Sequence, residues 1–350
     1  MGSTQLVDFT PTDIDMIFAV SQQNLNEGLY DYISGLGAKI DWSFDVDDDG
    51  NLAPPTNPSE PDILFSGVLA PPVEPGPGNT PVWIVDLSQA GAANQVTFNV
   101  TFADGATFTD NQLKHTYTQS VATGGPQWII PFQVNLTMAD IKDLSNKPTW
   151  LQERLAALNG NYDEVCDLSQ VLLDLTTLAS TTPPKASLPD GIMYYDWTII
   201  VQGTFTYLQA HHGAIYKKPP TAGYSVTYNG GTPIQKPPTF TPTGADLVIL
   251  PNPTNPGAST LVFIFMIQGR EFPTSPANAF VDVTLITDPA ITPGVAVIGA
   301  PNWVSFIQKD IQSFGLQNKV VTNYVHCWFT VPLRTGISSP PLSHDPCPAF

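Results

Sequence analysis

Basic residues are scarce in this 350-residue sequence: 13 Lys and Arg stand against 31 Asp and Glu, a formal net charge of −18. A nucleic-acid binder needs clustered Lys and Arg to displace counterions, so that class is excluded. Docking by simple attraction to anionic lipid is excluded on the same ground. Cysteine is nearly absent as well. Cys166, Cys327 and Cys347 form an odd, scattered set, which is no disulfide framework, and free thiols in a reducing cytosol are expected. The longest apolar run, Leu261–Ile267, is far short of the roughly 20 residues that a membrane helix needs. An integral membrane protein is therefore not expected. The opening stretch MGSTQLVDFTPTD has no basic segment followed by an apolar one. A cytoplasmic protein as synthesised is expected, any release proceeding without a signal peptide.

Catalytic signatures are missing too. There is no H-E-x-x-H, G-x-S-x-G, P-loop or G-x-G-x-x-G, so zincin, hydrolase-elbow and nucleotide-binding chemistry have no anchor. Ser343, His344 and Asp345 are contiguous in a proline-rich tail, whereas triad members converge from distant positions. His211 and His212 are neighbours that a strand would send to opposite faces, so they do not chelate one ion together. No catalytic residue is assigned, and a non-enzyme is expected.

What is present is proline, 35 residues of it, together with 18 Phe, 11 Tyr and 7 Trp and a 42% hydrophobic content. Such a chain folds, because it has apolar surface to offset its conformational entropy. Alternation at Ile40, Trp42, Phe44 and Val46, and again at Val96, Phe98, Val100 and Phe102, predicts strands with one buried face. Further strands are predicted at Ile63–Leu69, Val82–Leu87, Trp128–Leu136, Ile192–Leu208, Ala245–Leu250, Leu261–Ile267, Phe280–Ile286 and Val320–Val331. Segment 168–178 fits either a helix or a strand. Prolines fall between these runs, in loops such as 53–61, 70–81, 180–189, 236–243 and 250–257.

Three helices are predicted. One starts near Thr137, breaks at Pro148 and ends at Asn159-Gly160, and another covers Asn302–Phe314. The first is the most informative. It runs from Asp13 to Leu36, with Thr12 as N-cap and Gly35 and Gly37 as stop signals. Ile14, Ile17, Phe18, Leu25, Leu29 and Ile33 fall on its apolar stripe. At about 24 residues it would be roughly 36 Å long and would need an equally long apolar partner. Either it covers a sheet as core, or helix and sheet leave an apolar groove lined by those six residues.

One motif suggests a metal. Asp45, Asp47 and Asp49, followed by Gly50 and Asn51, match the opening of a calcium loop, where hard Ca²⁺ collects carboxylates at alternate positions. The twelfth position is Thr56 instead of Glu, and Pro54 and Pro55 precede it. An acidic hairpin turn at Asp49-Gly50 explains the same residues.

The segment DIDMIFAVSQQNLNEGLYDYI resembles the opening of the TULIP (tubular lipid-binding) proteins of the clostridial neurotoxin-cluster accessory type, the forty-seven-kilodalton proteins and their relatives, through Val20-Ser21 and Asn24 to Leu29. QVLLDLTT at 170–177 resembles a strand of that family, STLVFIFMIQGREFP a later buried strand and turn, and GAPNWVSFIQKDI its late helix. The resemblance implies a long helix wrapped by a highly curved antiparallel sheet, lipid binding, a place in toxin or insecticidal gene clusters, and no catalysis.

The expected protein is accordingly α+β: an elongated, highly curved antiparallel sheet around a long N-terminal helix. It is read as one unit over 1–350, with a soft boundary between two lobes near 180–190. Its expected function is non-catalytic binding of a lipid or other apolar small molecule, with proteins of the same gene cluster as further partners. No cofactor is expected beyond calcium at the Asp45–Asn51 turn. The alternatives are a structural or assembly protein with a fully packed core, and a calcium-dependent module or hydrolase.

Overall fold

The computed structural model of the chain describes residues 14–47, 49–73, 81–88, 94–140, 166–180, 188–216, 221–228, 242–267, 270–272 and 284–298. In chain order the described elements begin β1 (Met16–Ser21), α1 (Gln22–Leu36), β2 (Lys39–Val46), β3 (Leu52–Ala53), β4 (Ile63–Val68), β5 (Val85–Asp86) and β6 (Gln95–Thr101). They continue with β7 (Thr107–Asp110), β8 (His115–Thr118), β9 (Ile129–Asp140), β10 (Cys166–Ser180) and α2 (Tyr194–Ile215). The last are β11 (Thr221–Tyr228), β12 (Pro242–Leu250), β13 (Thr260–Ile267) and β14 (Gly294–Ile298).

These strands form three open antiparallel sheets, in the orders β12-β13-β1-β14, β11-β10-β9-β6-β5 and β3-β2-β4-β7-β8. The α+β class holds, but among the described residues no single sheet wraps the N-terminal segment. The residues expected as one helix from Asp13 to Leu36 divide at Ser21. Met16 to Val20 pair with β13 on one side and β14 on the other. The spacing of Ile14, Ile17 and Phe18 imitates a helical stripe, but β1 carries apolar residues on both faces, Met16 in one cluster and Ile17 and Ala19 in another, and so loses its alternation. Ser21, not Thr12, is the N-cap: its hydroxyl accepts from Asn24 N at 3.2 Å. Gly37, at φ 52°, closes the helix in the left-handed conformation that glycine adopts without strain. The resulting α1 has 15 residues and spans about 22 Å.

A second correction concerns Ile192–Leu208, expected as strand and found in α2, a 22-residue helix. Its β-branched and aromatic residues favour strands, but Trp197, Ile200, Val201, Thr204 and Leu208 are buried at intervals of three and four. Burial at that spacing overrides propensity. Segment 168–178 resolves as strand within β10. β9 continues through Thr137, where a helix was expected to start. Of the strand expected at Phe280–Ile286, the described residues 284–286 belong to none. The remainder of the second predicted helix, the helix at Asn302–Phe314 and the strand at Val320–Val331 lie outside the described residues.

One large apolar core takes side chains from all three sheets and both helices. The helix at its centre is α2, which packs on both β2 and β10, while α1 lies against the short edge strand β5. Gly203 lets α2 approach closely. A Cβ there would sit 2.6 Å from two ring carbons of Trp42, whose Nε1–H donates to Thr204 Oγ1 at 3.3 Å. A smaller cluster of Ile14, Ile17, Ala19, Val248, Val262 and Ile264 forms on the other face of the β1 sheet.

Candidate functional site

The six residues expected to line an apolar groove do not share a face. Ile14 and Ile17 belong to the smaller cluster, while Leu25, Leu29 and Ile33 project from α1 into the main core. Phe18 is 41% exposed and meets Phe265 edge-on at 5.7 Å. A polar clamp fixes α1. Asn26 Nδ2 donates to the Val85 carbonyl and its Oδ1 accepts from Val85 N, at 2.8 and 2.9 Å, so the amide completes the edge of β5 as a strand would. Gln22 Oε1 accepts from Leu87 N one turn earlier. Tyr32 donates from its hydroxyl to the Tyr216 carbonyl at 2.8 Å. Burial pushes its pKa up to about 12.

The acidic motif forms a hairpin turn between β2 and β3, with Gly50 at φ 82°. Its carboxylates face the backbone. Asp45 Oδ2 accepts from Thr56 N at 2.6 Å and its Oδ1 from Asp62 N at 3.3 Å. Asp47 Oδ1 accepts from Asp49 N and Asn51 N, and its Oδ2 from Asn51 Nδ2. These bonds lower both pKa values, chiefly through Thr56 N at Asp45 and Asn51 N at Asp47. Asp49 and Asn51 are exposed beside them. Among the described residues no three His, Cys, Asp or Glu side chains are grouped to hold a metal ion.

A third constellation lies at the start of α2. Asp196 occupies the first helical turn and its side chain is fully buried, where the helix dipole favours an acid. Its Oδ2 accepts from Tyr117 Oη at 2.7 Å and lies 3.0 Å from His115 Nδ1. A carboxylate only accepts, so it is Nδ1–H of His115 that donates here. Asp196 Oδ1 is buried and has no hydrogen-bond partner among the described residues. The pKa of Tyr117 is raised by desolvation first and then by its bond to Asp196. That of Tyr195 is raised by desolvation and by the charges of Asp110 and Asp196.

The contact ties the β7–β8 hairpin to α2, and both segments carry exposed apolar side chains. Leu113 in the hairpin turn and Met193, Tyr194 and Tyr195 at the helix start are each about half exposed. Four large, half-exposed apolar side chains thus lie on two segments joined at Asp196, and the outer edge that these segments share is termed the rim. Sequence reasoning missed it because 192–208 read as strand, in which Asp196 would alternate to solvent. The signal was an acid three residues after Met193, as in a helix first turn.

The fold is thus that of an α+β protein built on open antiparallel sheets. No family model matches the sequence, and no curated protein matches it. Among solved structures, the chain is similar to P47 from Clostridium botulinum A2 and P47 of Clostridium botulinum E1. Each is 10% identical with a TM-score of 0.42, and the match covers 83% of this chain and 53% of the other. The chain therefore spans about half the length of those structures.

Proposed function

We propose that the protein is a non-catalytic binder of an apolar ligand, a lipid among the candidates, and that it engages this ligand through Leu113, Met193, Tyr194 and Tyr195. The observation that supports this reading is the exposure of these four side chains on two segments that the buried Asp196 joins. Tyr and Met offer large contact area and are enriched where proteins meet apolar surfaces. The expected groove beneath α1 has no part in it, since Leu25, Leu29 and Ile33 pack in the core. An accessory role in a toxin or insecticidal system rests on the resemblance alone.

The test uses Nile red fluorescence and flotation with phosphatidylcholine vesicles, which carry no net charge to oppose −18. Dye enhancement or flotation that falls by about tenfold in a Met193→Ser, Tyr194→Ser double variant bears the reading out. Neither response in the wild type overturns it. The burial of the α1 stripe favours a second reading, a structural or assembly protein, and the same null result would leave that one standing.

A further inference from the structure

Asp196 is a buried acid that the fold satisfies on one side only. Asp15, also buried, accepts from Ile267 N and pairs with Arg270. Asp110, buried too, accepts from Leu113 N at 2.7 Å. At Asp196 both donors, Tyr117 and His115, converge on Oδ2. Among the described residues, Oδ1 of Asp196 is the only buried carboxylate oxygen without a hydrogen-bond partner. Buried acceptors are almost always paired, so an unpaired one marks a place for a donor from outside the chain.

The surroundings restrict the donor. Asp110 stands close enough to raise the Tyr195 pKa together with Asp196, so the local field is negative. Lys114 is exposed in the hairpin turn and takes no part in the three ion pairs among the described residues. The positive end of the α2 dipole opposes a cation, but it amounts to about half a charge. One full carboxylate with a second beside it outweighs it.

We propose that the start of α2 binds a small protonated amine with an apolar tail, the ammonium donating to Asp196 Oδ1 and the tail lying on Leu113, Met193, Tyr194 and Tyr195. The proposal deepens the apolar-rim reading and rests on it. Reaching Oδ1 takes a side-chain rotation at the first turn, where Met193, Tyr194 and Tyr195 are about half exposed.

Two probes with one tail separate the contributions: hexylammonium chloride and 1-hexanol, titrated at pH 7 into protein labelled with methyl-¹³C methionine. The expected result is a shift of the Met193 methyl signal with both, and roughly tenfold tighter binding of hexylammonium, because charge-assisted hydrogen bonds are the stronger ones. In Asp196→Asn the preference should fall to about twofold or less. Equal affinity of the two probes in the wild type overturns the amine site and leaves the apolar rim standing. No Met193 shift with either probe overturns both. A preference that survives Asp196→Asn overturns the amine site by assigning the effect to the general negative charge. Should Asp196→Asn fail to fold by circular dichroism, the wild-type comparison decides alone.

Discussion

Gly203→Ala tests how tightly α2 is seated. In an exposed helix the exchange stabilises by about 1 kcal/mol, since alanine loses less backbone freedom. Here the new methyl would lie 2.6 Å from Trp42 Cη2 and Cζ2 and 2.9 Å from Cε2. The indole has no free direction of retreat. It stacks on Phe65 at a centroid distance of 5.3 Å and an interplanar angle of 12°, with Phe44 at 5.5 Å and Phe108 at 6.3 Å. Overpacking of a filled core costs about 1–3 kcal/mol. Displacing the ring also breaks its bond to Thr204, worth about 1 kcal/mol. With the propensity gain subtracted, the net loss should be about 1–3 kcal/mol.

The assay is urea unfolding followed by tryptophan fluorescence and far-UV circular dichroism, where the midpoint should fall with the slope unchanged. A double-mutant cycle with Trp42→Leu isolates the contact, because Gly203→Ala should lose its penalty once the ring is gone. A Gly203→Ala protein as stable as the parent, or more so, would refute the close approach and with it the placement of α2 against β2.

Two further outcomes follow from the polar contacts. Asn26→Ala removes the amide that pairs both polar groups of Val85, and it should cost about 2–4 kcal/mol in the same unfolding assay; a loss under about 1 kcal/mol would mean that water replaces the amide. At the β2–β3 turn the folded pKa of Asp47 is lowered, chiefly by Asn51 N, so its contribution is complete above the ordinary carboxylate value near 4 and is lost as pH falls through the folded value. Asp47→Asn should therefore melt below the wild type at pH 7, with the gap narrowing as pH falls below the ordinary carboxylate value near 4; a gap independent of pH would rule out the charged turn as its cause.

Where one sheet face is buried and the other solvated, the strands were legible. Ile40 and Trp42 in β2, and Val96, Phe98 and Val100 in β6, alternate in the sequence and in burial. Legibility failed where burial was two-sided. β13 is buried at every position, and β1 beside it is apolar on both faces although Phe18 is exposed, so a strand and a helix merged into one apparent stripe. α2 failed for the opposite reason. Packed against β2 and β10, it carries Ile199, Ile200 and Val201 in succession, and a helix apolar over much of its circumference shows no clean period. The Asp196 constellation was beyond reach. His115 and Asp196 stand 81 residues apart, and only the docking of the β7–β8 hairpin on α2 makes them neighbours.

Asp196 links the two properties that a binding rim needs. By holding Tyr117 and His115 it fixes the hairpin that carries Leu113 against the helix that carries Met193, Tyr194 and Tyr195, so the two backbone segments stand in place before any ligand arrives and only side chains have to move. That arrangement reduces the ordering cost of association, which in flexible surfaces consumes much of the interaction energy. On the proposed reading the same residue sets the sign of the ligand. Across the whole chain the charge of −18 repels anionic surfaces, and at the rim one carboxylate oxygen remains unpaired. A ligand with an anionic head meets opposition at both scales, one with a neutral head gains only the apolar contact, and one with a cationic head gains from the general field, from Asp196 and from the rim together.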